Sequence, residues 1–254
     1  MPKVLNWFNC NKLHLNAKKS VAMLFYPRQR KINTSDQGIF ISNDFIAFSD
    51  NTKFLGVIID KHLTWYDHVS TVSSKVSKAV GIMFKLSRFL PPRVLLTLYN
   101  SLVLPYLYYC NVVWGHACSS YLQKLYILQK KAVRAISKSD FNAHSKPLFL
   151  KYKLLSIFDI ANFHKLSFVY SAINNLLPVC FSDYFTQSNS LHHYSSRNYL
   201  NLNLPLLRLG TNQKNVKFTG AKLWNSLPIQ VKTTSTFSSF KSQLKRHILK
   251  SYYD

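Results

Sequence analysis

Residues 53–69, KFLGVIIDKHLTWYDHV, change character halfway along. The opening run KFLGVIID is apolar and rich in β-branched residues, the composition of a strand, and Gly56 within it marks a bulge or a close backbone approach. A charged turn and Trp65 follow. From Asp67 the period is helical: Val69, Val72, Val76, Val80 and Phe84 recur at three- and four-residue spacing, while Lys75, Lys78, Lys85 and Arg88 fall elsewhere on the surface. The segment therefore joins a sheet to a helical region. Trp65 and His68 pack and cap that corner.

The same pattern extends in both directions. Upstream, NCNKLHLNAKKS (residues 9–20) finishes a helix, and VAMLFYP (21–27) reads as a strand stopped by Pro27. GIFISNDFIAFSD (38–50) alternates around a Ser-Asn-Asp turn, a hairpin signal. Downstream, Pro91 and Pro92 suit the first turn of a helix running through RVLLTLYNSLVL (93–104). The stretch Val94–Trp114 is apolar enough to raise a membrane question, but Asn100, Ser101, Pro105 and Asn111 interrupt it. A buried helix broken at Pro105 is the better reading, and no membrane partner is expected. A third helix spans SSYLQKLYILQKKAVRAIS (119–137), with Leu122, Leu125, Leu128, Ala132, Val133 and Ile136 inward and Lys124, Lys130, Lys131, Arg134 and Lys138 outward. Further helices are expected over 147–156 and 157–177, ending at Pro178. Residues 183–217 show no clear period and read as a long loop or irregular strands. TSTFSSFKSQLKRHILKSYY (234–253) is helical, with Phe237, Phe240, Leu244 and Ile248 on one face. The fold class is thus α+β, mostly helical: a small N-terminal antiparallel sheet over 1–66, a helical bundle over 67–180, and an irregular region with an amphipathic helix over 181–254.

Charge narrows the function. The chain carries 33 Lys and Arg against 9 acidic residues, a net charge of +24. Such an excess repels itself unless a polyanion neutralises it, and nucleic acid is the commonest one. All nine acids are Asp, so every device that needs a Glu is excluded, including the H-E-x-x-H metalloprotease helix and the zinc deaminases. The aspartates, at 36, 44, 50, 60, 67, 140, 159, 183 and 254, are scattered, and no sequence-local pair could clamp divalent metal for phosphoryl transfer. No cofactor is expected. Cys10, Cys110, Cys118 and Cys180 lack the paired spacings of a zinc site or a disulfide framework. Cys110, His116 and Cys118 have no fourth partner nearby. With reduced thiols and no apolar leader at the N-terminus, a nuclear or cytoplasmic location is expected rather than secretion. Trp114 and Trp224 read as core anchors, Tyr106, Tyr108 and Tyr109 as buried aromatics at a helix end, and His192-His193 as exposed.

WFNCNKLHLNAKKSVAMLF (7–25) followed by KFLGVIIDKHLTWYDHV resembles the late palm of non-LTR (LINE-type) retrotransposon reverse transcriptases. LPPRVLLTLYNSLVLPYLYYCNVVWG (90–115), LQKKAVRAI (128–136), GAKLWNSLP (220–228) and SSFKSQLK (238–245) extend the resemblance over nearly the whole chain, through the helices that follow the palm. It implies a thumb-like bundle after residue 66. It also implies roles: Lys19 near the phosphates of an incoming nucleotide, and Phe54 and Gly56 in a primer grip. The basic faces Lys75/Lys78/Lys85/Arg88 and Lys124/Lys131/Arg134/Lys138 would touch the backbone of RNA or an RNA–DNA duplex without reading bases. The family's chemistry needs an early palm Asp and an aromatic-x-Asp-Asp turn; the sequence has no Asp-Asp dipeptide and starts after the place of that turn. The expectation is a non-catalytic, truncated fragment that retains backbone binding, with the missing palm and fingers half as a further partner.

Two alternatives stand beside this. Lys53–Trp65 also resembles a short module found beside alkylation-repair dioxygenases, enzymes that need His-x-Asp for Fe(II); none of the nine His is followed two positions later by Asp. The chain could also be the translated tail of a decayed element, with no selected function.

Overall fold

The computed structural model describes residues 2–14, 16–30, 32–33, 37–41, 44–187, 200–206 and 215–252. It is mostly helical with two small antiparallel sheets. Packing divides the chain into two units, Met1–Ser70 and Thr71–Asp254.

The first unit holds helix α1 (Pro2–Cys10), a 3-10 turn at Ala17–Lys19 and four strands. Strand β1 (Gly38–Ile41) pairs with β2 (Asp44–Ala47) in the register Gly38↔Ala47, Ile39↔Ile46, Phe40↔Phe45 and Ile41↔Asp44. This is the hairpin expected from the alternation; its turn residues 42–43 lie outside the described residues. Ala22, Ile41 and Ile46 form a small core against which Ile39 and Phe48 pack. VAMLFYP is not a full strand. Only Ala22 bridges, parallel to Phe48, with its carbonyl accepting from the Ser49 amide at 2.9 Å.

The opening stretch folds differently from its expectation. Instead of one strand over 53–60, β3 (Asn51–Phe54) and β4 (Val57–Asp60) pair antiparallel, Phe54 opposite Val57, with Leu55 and Gly56 as the two turn residues. Both have positive φ, 45° and 84°. A two-residue hairpin matches strand twist only with a primed turn, and a turn with φ > 0 at both positions is type I′, so Gly56 is a turn glycine rather than a bulge. The corner into the next helix is held by one carboxylate: Asp60 accepts the Thr64 amide at 2.9 Å and the Trp65 amide at 2.8 Å. Trp65 and His68 are buried there, and the Ile58 amide donates to His68 Nδ1 at 3.3 Å. They pack and cap, as expected.

Helix α2 (Tyr66–Leu86) carries the chain into the second unit. Val72, Val76, Ala79, Val80 and Met83 are buried along it, but Phe84 is 40% exposed. The inward row runs 72, 76, 79/80, 83, and at 3.6 residues per turn the next inward position after Val76 and Ala79 is 83. The chain then forms α3 (Pro92–Leu102), α4 (Leu104–Tyr108), α5 (Asn111–Trp114), α6 (Ser119–Ser137), α7 (Ser145–Lys151), α8 (Ile157–Ile173), α9 (Val216–Asn225), α10 (Ile229–Lys232) and α11 (Phe237–Lys250). Pro91 caps α3, and the break falls at Val103, two residues before Pro105. The helix expected over 147–156 stops at Lys151; Lys153, at φ 52°, turns the chain, and the Ser156 hydroxyl caps α8 by accepting the Asp159 amide at 3.2 Å. No helix among the described residues is long and apolar enough to cross a membrane.

α8 is the hub, buried on most of its circumference. It lies so close to α9 that a Cβ on Gly220 would come within 2.8 Å of the Val169 side chain. Tyr170 stacks on Phe240 of α11 with ring centroids 4.3 Å apart. α6 meets α8 through Gln129, a fully buried residue in the register where Leu128 was expected inward; Leu128 is half-buried. The Gln129 amide donates to Tyr99 Oη at 2.9 Å and to the Leu155 carbonyl at 3.2 Å, and its carbonyl accepts the Ile157 amide at 2.7 Å. Burial pushes the Tyr99 phenol well above its usual pKa.

Trp224 and Asn225 close a clamp. Trp224 Nε1 donates to the Leu200 carbonyl at 2.9 Å, while the Asn225 amide accepts from the Leu202 amide at 2.7 Å and donates to its carbonyl at 2.9 Å. Asn225 thus imitates a neighbouring strand. The held segment bridges Gln187 through Leu202, so the irregular region expected over 183–217 includes a short antiparallel contact and the start of α9. Residues 188–199, with His192 and His193, and 207–214 lie outside the described residues, as do Asp36 and Asp254.

Candidate nucleic-acid interface

From His68 to Ser139 the sequence holds no acidic side chain and ten Lys and Arg. Four of these lie on or just past α2, all exposed: Lys75, Lys78 and Lys85 at three- and seven-residue intervals that keep them on one side of the helix, and Arg88 in the turn after it. Arg93, in the first turn of α3, is exposed as well, a cation the sequence reading passed over. Among the described residues no carboxylate pairs with any of these five. Lys75 rests its ammonium 5.2 Å from the Tyr106 ring centroid. Tyr106 and Tyr109 are 39% and 52% exposed, which corrects the expectation that they are buried; Tyr108 is half-buried, edge-on to His164 at 4.8 Å. α4 is a single short turn and can turn only one of the three tyrosines inward.

On α6, Lys124 and Lys138 are exposed and Lys131 is half-buried. Lys138 is also the helix C-cap, at φ 54°. Arg134 has a structural task of its own: Nε donates to the Ala143 carbonyl at 2.9 Å and the guanidinium covers the Phe141 ring at 6.0 Å.

In the first unit, Lys19 is exposed on the turn packed beside β2, its amide bonded to the Asn16 carbonyl at 3.0 Å. Phe54 and Gly56 sit at the tip of the other hairpin, where Phe54 is 61% and Leu55 73% exposed. Lys61 behaves differently from the α2 lysines: it forms an ion pair with Asp50 at 2.6 Å, a bond that raises its pKa.

A second group of cations is drawn inward. Lys165 on α8 is buried, and burial lowers its pKa. Lys245 on α11 is lowered by burial and by Lys153. His164 is pushed down to about 4, first by burial and then by Lys241, and its Nε2 is buried without a hydrogen-bond partner. This group was not legible in the sequence, because only folding brings α11 onto α8.

Three aspartates serve the fold. Asp50 holds Lys61, Asp60 holds the corner, and Asp159 accepts from the Ser156 and Tyr252 hydroxyls. Among the described residues no three His, Cys, Asp or Glu side chains gather where a metal ion could be held. Cys10, Cys110, Cys118 and Cys180 are free thiols and exposed.

No protein-family model matches the sequence, and no solved structure matches it significantly. Curated relatives do match, and they make the chain a relative of RNA-directed DNA polymerases. More particularly, these are the enzymes of non-LTR retrotransposons. The probable RNA-directed DNA polymerase of the transposon X-element of Drosophila melanogaster is 26% identical over 62% of this chain. That of the mobile element jockey is 30% identical over 52% of the chain in Drosophila melanogaster, and 27% over 48% in Drosophila funebris. The matched stretches cover 17%, 14% and 14% of the relatives' own lengths, so the chain spans only a small part of them.

Proposed function

We propose that this chain grips the sugar-phosphate backbone of RNA or an RNA–DNA duplex through the exposed cations of α2 and α6, without base specificity, and that it does not itself add nucleotides. The observation that carries this reading is the run from His68 to Ser139, free of carboxylates, whose ten cations fall in two clusters, 75–93 and 124–138, with Lys75, Lys78 and Lys85 exposed on α2 and Arg88 exposed just past it. A charge of that kind binds a polyanion by releasing its condensed counterions. The polymerase names of the relatives support nucleic acid as that polyanion.

In this reading α2 to α6 act as a thumb, the hairpin tip at Phe54–Gly56 approaches the nucleic-acid terminus and Lys19 lies near phosphate. The helices that follow, with the Trp224–Asn225 clamp, serve as the scaffold. A palm and fingers half carrying the metal-binding aspartates is the protein partner that would complete a polymerase. The exposed free thiols suit a reducing nuclear or cytosolic setting. The reading that it does not add nucleotides rests on the aspartates: two-metal phosphoryl transfer needs carboxylates converging on ions about 4 Å apart, and among the described residues no three His, Cys, Asp or Glu side chains gather to hold an ion.

The test pairs two measurements on the purified chain: binding of a labelled RNA–DNA duplex, and extension of its primer with magnesium and nucleotides. The reading expects binding without extension, and a K75Q/K78Q/K85Q variant that binds at least 10-fold more weakly at low salt. Magnesium-dependent extension by this chain alone, or unchanged binding by the triple variant, would overturn it.

A further inference from the structure

Phe89 is out of keeping with its surroundings. α2 ends at Leu86, and the connection to α3 is fully tied: the Ser87 amide bonds to the Met83 carbonyl at 2.9 Å, and those of Phe89 and Leu90 bond to the Leu86 carbonyl at 3.0 and 2.9 Å. Pro91 and Pro92 then lock the backbone into α3, whose Val94 amide bonds to the Pro91 carbonyl at 3.0 Å. On this rigid turn Leu90 is half-buried, yet the Phe89 ring is 81% exposed. The fold thus leaves one of the largest apolar side chains in water.

The ring has exposed neighbours along the chain. Lys78, Ile82 and Lys85 follow one another on α2 at four- and three-residue steps, all exposed, and Arg88 and Arg93 flank the ring in sequence. An exposed aromatic ring close in sequence to exposed cations, none of which has a carboxylate partner among the described residues, fits a ligand that brings its own apolar face and its own negative charge. A base inside a duplex is covered on both faces by its neighbours; an unstacked base is not. Nucleic-acid binding without sequence preference combines these two contacts, a cationic track for the phosphates and an aromatic ring for the bases. A lipid surface suits the stretch less well, since its exposed apolar side chains Ile82, Phe84, Phe89 and Val94 are interspersed with cations and a membrane-surface helix needs a continuous apolar side.

We propose that Phe89, flanked in sequence by Lys85, Arg88 and Arg93, is a stacking platform for an unpaired base of single-stranded RNA or DNA just past the C-terminal end of α2. This deepens the backbone-binding reading and rests on it: the cations hold the strand, and the ring holds a base.

The test compares oligothymidylate with an abasic oligomer of the same length, which keeps the phosphates and lacks the bases. Both are titrated by fluorescence anisotropy against the wild type, F89A and F89W. F89A should weaken binding of oligothymidylate by about 5- to 150-fold, the span of one base–aromatic stack. It should leave the abasic oligomer and the salt slope unchanged, and F89W should restore affinity for oligothymidylate. Equal loss on both oligomers, or no loss on either, would overturn the platform while leaving phosphate binding intact. Phe89-dependent binding to phosphatidylserine vesicles without Phe89-dependent binding to oligothymidylate would overturn it in favour of a membrane. If the wild type binds neither oligomer, the backbone-binding reading fails first. Because Phe89 is exposed, both variants should melt within a degree or two of the wild type.

Discussion

Gln129→Met is the most searching test of the helical core. The substitution keeps the length and volume of a side chain that is fully buried, and removes three hydrogen bonds at once. It leaves the Leu155 carbonyl and the Ile157 amide without their partner, and Tyr99 Oη without a donor. The Ile157 amide matters most, because it belongs to the first turn of α8, where no intrahelical acceptor exists. At about 1–3 kcal/mol for each of the three buried groups left unsatisfied, and with about 1–2 kcal/mol returned by burying a thioether in place of an amide, the net loss is about 1–8 kcal/mol. Urea unfolding followed by far-UV circular dichroism should show a lower midpoint with an unchanged slope. Y99F should cost about 1 kcal/mol, and the double variant less than the sum, since the two side chains share a bond. A loss below about 0.5 kcal/mol for Gln129→Met would refute the claim that this side chain joins α6 to α8.

Leu55→Asn should raise stability by about 0.5–1 kcal/mol, read from the urea midpoint, because Asn tolerates the left-handed backbone that Leu55 adopts at φ 45°; a loss of stability would contradict the type I′ turn. His164 predicts a pH dependence of stability. Its folded pKa of about 4 lies below the ordinary 6.5, so the unfolded chain binds the extra proton between these values. The contribution of His164 is fully present above pH 6.5 and is lost as pH falls toward 4, by about 2–3 kcal/mol in all. Thermal melts from pH 7 to 4 should show that decline, and in His164→Phe it should flatten; an unchanged decline in the variant would remove His164 as its source.

The helices were legible because burial leaves a period in sequence. Val69, Val72, Val76 and Val80 on α2, and Leu122, Leu125, Ala132, Val133 and Ile136 on α6, are all buried as their spacing requires. Periodicity blurs where a helix ends or where a polar residue is buried, which is why Phe84 and Leu128 were misplaced while Met83 and Gln129 went unnoticed. KFLGVIID read as one strand because Leu-Gly lacks the Asn-Gly or Asp-Gly signature of a type I′ turn, although the conformation is the same. The Trp224–Asn225 clamp could not be read at all, since its partners at Leu200 and Leu202 are backbone groups more than twenty residues away. The basic face of α2 was visible in the sequence; its exposure, its lack of carboxylate partners among the described residues and the presentation of Phe89 needed the fold.

The central claim is that unopposed cations on this chain neutralise phosphates, and the salt dependence of duplex binding measures it most directly. With about 6–8 phosphates contacted, log K should fall linearly with log salt at a slope of about −5 to −7 between 50 and 200 mM. A slope near zero, with affinity retained at high salt, would contradict the account.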